Sequence, residues 1–144
     1  MKRVIGILFL VGVLGLLLIQ LVPYGRDHTN PEVVSEPDWD SAATRAYAVT
    51  ACFDCHSNET VWPWYSNIAP MSWLIQHDVE EGRLHLNLST WGPGQGGSEM
   101  AEKVSSGEMP PLRYQLAHPE ALFSDADKAA FIEGLIATFG GESD

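Results

Sequence analysis

The chain has 144 residues, room for one domain of about 100 residues plus an anchor. Nineteen Asp and Glu against eight Lys and Arg give a net charge of −11, which excludes nucleic acid as a partner. All of the acidic residues lie beyond residue 22, where six basic residues oppose 19 acidic ones and leave a net −13.

Met1-Lys2-Arg3 opens the chain, and Val4 to Val22 then carries no charge, three glycines and one polar residue, Gln20. A stretch of that length and composition crosses a bilayer core. Leu-rich sequence runs straight into Gln20-Leu21-Val22-Pro23 without a small-residue cleavage site, so residues 1–22 read as an uncleaved transmembrane signal anchor rather than a signal peptide. Lys2 and Arg3 on the short side place the remainder outside the cytoplasm, on the periplasmic or extracytoplasmic side of the inner membrane. Gly6, Gly12 and Gly15 do not form a small-xxx-small repeat, and the sequence gives no oligomeric state. Residues 23–39 mix three prolines with charges and show no apolar period, which predicts an extended tether.

Residues 40–144 form the domain. Asp40 or Ser41 caps a helix running to Cys52, and Cys52-Phe53-Asp54-Cys55-His56 follows at its end. Cys-x-x-Cys-His is the attachment signature of c-type haem. Two thiols one turn apart add to the vinyl groups of one haem edge, and the next imidazole reaches the iron. The other readings are a structural disulfide, a redox dithiol or part of a zinc site, and zinc would need more thiolates or a paired histidine motif. One covalent haem c per chain is the cofactor expected.

Pro63 and Pro70 bracket a loop, and Pro70 opens a helix to Leu86 with Met71, Ile75, Val79, Gly82 and Leu86 on one stripe. Trp73, His77 and Leu84 fall on the opposite side, so one face meets the core and haem is a candidate for the other. After the glycine-rich loop 91–97, a short helix from Ser98 turns Met100 and Val104 inward and stops at Gly107. Ser124 caps a last helix that carries Ala126, Ala130, Phe131, Leu135 and Phe139, and its Gly134 allows the first helix of the domain to approach closely. No strand pattern is sustained. The expected fold is all-α, a small cytochrome c-like helical domain around one covalent haem, behind one transmembrane helix.

With His56 on one side of the iron, Met109 is the expected second ligand, because Pro110-Pro111 holds its loop extended and free of amide donors. His77 is the main competitor; Met71, Met100, His28, His85, His118 and an open position are the others. Trp62, Trp64, Tyr65 and Trp73 are expected to wall the haem and exclude water, a role compatible with ordinary core packing. Arg83 or Arg113 is a candidate partner for a propionate. The acidic surface either keeps the domain solvated or steers a basic redox partner to it.

Together the motif with Ser57-Asn58-Glu59-Thr60, Trp62-Pro63-Trp64-Tyr65, Ser72-Trp73-Leu74 through His77-Asp78-Val79-Glu80-Glu81-Gly82-Arg83, and Gly107-Glu108-Met109-Pro110-Pro111 resembles the bacterial haem-binding domain family, over roughly residues 20–139. Its members are small, membrane-anchored, single-haem c-type proteins. The resemblance implies covalent haem at Cys52 and Cys55, His56 as axial ligand and an extracytoplasmic domain, and implies little about the reaction. One-electron transfer is the function expected, since no catalytic base, flavin motif or second metal site is visible. The alternatives are a haem sensor or gas-binding module, or a small peroxidase using His77 or His85, each with an open or labile sixth position.

Overall fold

Apolar residues fill nearly every position of the first helix, so it has no core-facing stripe and buries none of its residues. In the computed structural model, which describes residues 1–140, this helix is α1 (Lys2–Ile19), long and apolar enough to cross a membrane. Six further helices follow: α2 (Ala42–Ala51), α3 (Phe53–His56), α4 (Met71–His85), α5 (Met100–Ser106), α6 (Leu112–Ala117) and α7 (Asp125–Phe139). Among the described residues no strand forms, and one isolated bridge joins Ser35 to Thr90. The all-α class read from the sequence holds.

Local chemistry sets the helix ends. Ser41, not Asp40, caps α2 by accepting from Thr44 N at 3.1 Å, and Ser124 accepts from Asp127 N at 3.1 Å at the start of α7. Helix α6 escaped the sequence reading. It is a short segment launched by Pro111 that buries none of its residues, so no apolar period announces it.

The core lies between α2, α5 and α7. Phe131 and Leu135 of α7 are fully buried against Ala48 of α2 and Met100 and Val104 of α5. Met100 and Val104 turn inward as their spacing predicts, while Ala126 and Ala130 stay exposed. A side chain on Gly134 would overlap that of Thr44, so glycine at this position is what lets Thr44 of α2 pack directly on the α7 backbone.

Segment 23–39 is extended, and it is also bound to the domain along its length. Ser35 Oγ donates to Trp91 O at 2.7 Å, Asn58 Nδ2 donates to Glu32 O at 2.8 Å, and Glu36 pairs with Arg45 at 2.7 Å. Arg83 of α4 is the chief fastener: it donates to Ser57 O, Thr29 O, Asn30 Oδ1 and Thr60 Oγ1 at 2.7–2.9 Å. Lysine lacks the fork that reaches four acceptors at once. Arg83→Lys is therefore expected to lower stability by about 1–2 kcal/mol, measured by urea unfolding, and to increase proteolytic cutting within 23–39.

Candidate cofactor site

The Cys-x-x-Cys-His sequence is a turn of its own. Helix α2 stops at Ala51, Cys52 leaves helical geometry with φ −125°, and α3 then winds once, with His56 N donating to Cys52 O at 2.8 Å. Both thiols stand on this turn. Cys52 is buried and Cys55 partly so, and neither forms a disulfide. Burial pushes both thiols up to about 12, reinforced at Cys55 by Asp78 and Asp54, so they are neutral in the folded protein.

Helix α4 orients the histidine. His56 Nδ1 lies 2.9 Å from Gly82 O and 3.1 Å from Leu86 O, and carbonyls only accept, so Nδ1 carries the proton. Nε2 is left with its lone pair free for a metal. Burial pulls the imidazole below its ordinary range, and the two carbonyls oppose that only in part, so the ring is neutral. Gly82 makes the arrangement possible, because any Cβ there would run into the Cys55 carbonyl. The apolar stripe predicted Gly82 as an inward position, but not that it presses on the motif itself.

A polar web holds the turn from the other side. Asp54 accepts from Val61 N at 2.9 Å and from the Tyr114 hydroxyl at 2.8 Å, and that hydroxyl also lies 3.2 Å from Thr50 O. Burial and then the Asp54 carboxylate push the Tyr114 phenol well above its usual range, so it stays a donor. Sequence reasoning missed Tyr114; it is 60 residues from its partner and nothing in its neighbours marks it. Arg113 pairs with Asp78 of α4 at 2.8 Å. Through these two residues, the segment just after Met109 is fastened to both the motif and α4.

The other predicted residues distribute unevenly. Met109 is one-third exposed, its amide donating to Lys103 O at 3.0 Å, in the loop between α5 and α6. Met100 is core, Met71 and His77 are exposed, and exposed His85 lies 3.7 Å from Glu81. His28 stacks on Trp62 at 4.7 Å, and His118 stacks on Tyr114 at 4.2 Å. The indoles have different surroundings. Trp62 is held by the 23–39 segment through His28 and Asn30, Trp64 is 76 % exposed, and Trp73 lies on the side of α4 opposite Gly82. The 23–39 segment covers Trp62 where a free tether would have left it open. Arg83 is likewise committed to four protein acceptors, and Arg113 donates through two nitrogens to the Asp78 carboxylate.

No group of three or more His, Cys, Asp or Glu side chains among the described residues is arranged to hold a bare ion. One imidazole with a free Nε2, beside two thiols a turn apart, instead suits a metal that brings its own equatorial ligands. A family model described as "Haem-binding domain" matches residues 14–137. No curated protein and no solved structure matches the chain.

Proposed function

The chain belongs to the haem-binding domain family, and on that premise we propose that it is a membrane-anchored, extracytoplasmic one-electron carrier. In this reading Cys52 and Cys55 hold the haem covalently, His56 is one axial ligand and Met109 the other. The observation that carries it is the fixed His56 tautomer, with Nδ1–H committed to the Gly82 and Leu86 carbonyls. A ring so held cannot rotate away, and its carbonyl partners raise the donor strength of Nε2. Haem bound there supplies reversible exchange of one electron at a potential set by its ligands and burial.

The remaining residues do simpler work. Asp54 keeps the motif turn from opening, since it accepts from Thr60 and Val61 of the following segment and from Tyr114 of α6. The net −13 beyond the anchor favours transient contact with a basic redox protein and repels acidic ones. Lys2 and Arg3 orient α1 with the domain outside the cytoplasm.

The test is optical. The purified protein should retain its haem through acid-acetone extraction, show a sulfur-to-iron charge-transfer band when ferric, and bind no carbon monoxide when ferrous. Met109→Ala should abolish the band and convert the ferrous protein to stoichiometric carbon monoxide binding. Extractable haem would refute covalent attachment. Rapid carbon monoxide binding by the unaltered protein would instead favour a gas-binding or sensor role.

A further inference from the structure

Helix α1 and the haem-binding domain are joined without a free spacer. Gln20, the first residue past α1, donates to Ala69 O at 2.8 Å and accepts from Ala69 N at 2.9 Å, a two-way amide clasp across 49 residues. Arg26 donates to the same Gln20 carbonyl oxygen at 3.1 Å, and the Tyr24 hydroxyl donates to Glu80 at 2.7 Å. Gly25 lies directly on the Ser72 backbone. The chain between Gln20 and Arg26 thus turns back onto the domain at once.

This geometry fixes a depth. The 18 residues of α1 rise about 27 Å, close to the roughly 30 Å of a bilayer's hydrocarbon, so Gln20 stands at the boundary when α1 spans. Ala69 is bonded to Gln20 and must stand there too. The residues around Ala69 have the composition of that layer. Thr60 to Gln76 contains no charged residue and no histidine, in a domain that is otherwise strongly acidic. Within that stretch Trp64 is 76 % exposed and Ile68 46 % exposed, with Tyr65 edge-on to Trp64 at 5.7 Å. Exposed indole and phenol rings are what the headgroup region selects. An acidic surface is repelled by anionic lipid, whereas an uncharged one is not.

We propose that the face carrying Trp64 and Ile68 docks into the lipid headgroup layer beside α1, so that the domain lies on the membrane in one orientation instead of swinging on a tether. This rests on α1 crossing the bilayer. Trp64 is then a membrane contact and not part of the haem surround. The docking leaves α5 and α7, which do not touch α4 or the turn that carries Trp64, facing the aqueous phase.

Photocrosslinking of the full-length protein tests it. A benzophenone amino acid replaces Trp64, Ile68, Leu10 or Glu102, one at a time, in vesicles of phosphatidylethanolamine and phosphatidylglycerol. Mass spectrometry then reads the fraction of protein carrying a phospholipid adduct, and the Soret band of each variant reports that haem is retained. Positions 64 and 68 should yield adducts at a level within about threefold of position 10 and at least tenfold above exposed position 102. Adducts at position 10 but only background at 64 and 68 would overturn the docking and leave the anchor standing. Background at position 10 as well would overturn both.

Discussion

Gly82→Ala is expected to destabilise the protein by about 3 kcal/mol, the upper part of the range for overpacking a close contact. The added methyl has nowhere to go. On one side is the Cys55 carbonyl, which belongs to the motif turn, and α4 cannot retreat without lengthening the hydrogen bonds from His56 Nδ1 to Gly82 O and Leu86 O. The substitution should therefore act twice: the unfolding midpoint falls, and the protein that remains folded shows an altered haem spectrum because the imidazole is less firmly oriented. Denaturant unfolding and absorbance spectra of the same samples measure both. A stability within 0.5 kcal/mol of the parent and an unchanged spectrum would mean that α3 and α4 separate freely, against the packing described.

Phe131→Ala is expected to cost about 3–5 kcal/mol, the usual toll of emptying a fully buried aromatic site. Phe131 has no exposure and lies against Tyr47 at 5.6 Å and Phe123 at 5.9 Å, where α2 and α7 meet near the segment leading into α7. The Thr44 side chain already packed on Gly134 prevents the two helices from closing over the gap, so most of the cavity persists. The effect differs in kind from that of Gly82. Here the unfolding midpoint should drop while the haem spectrum of the folded fraction changes less than in Gly82→Ala, because Phe131 packs against Tyr47 and Phe123 and makes none of the hydrogen bonds that orient the imidazole. A spectral change equal to that of Gly82→Ala would show that the core and the site are not separable in this way.

Much of the fold was legible in the chain, and particular residues show why. Ser124 with Asp127 announced α7, and Pro70 announced α4, because caps are local chemistry. Met100 and Val104 declared an inward face through their spacing. Helix α6 could not be read, since a short segment with every residue partly or fully exposed has no period to detect. The 23–39 segment was legible as extended but not as bound. Its anchoring partners, Arg83, Asn58 and Trp91, are tens of residues away, and long-range hydrogen bonds leave no local pattern.

By itself the sequence determined what is local or periodic: the two thiols and imidazole in five residues, an uncharged N-terminal helix, the acidic balance and an all-α plan. These follow from neighbours along the chain, where spacing and composition act directly. Only the tertiary structure decided which proton His56 carries, because the carbonyls that fix it come from α4, 26 and 30 residues away. It also decided that Arg83 serves the scaffold, that Tyr114 secures Asp54, and that Trp62 stacks on His28 of the 23–39 segment. Each depends on which surfaces are in contact once the chain has folded, a matter of complementarity between distant segments that no local pattern encodes.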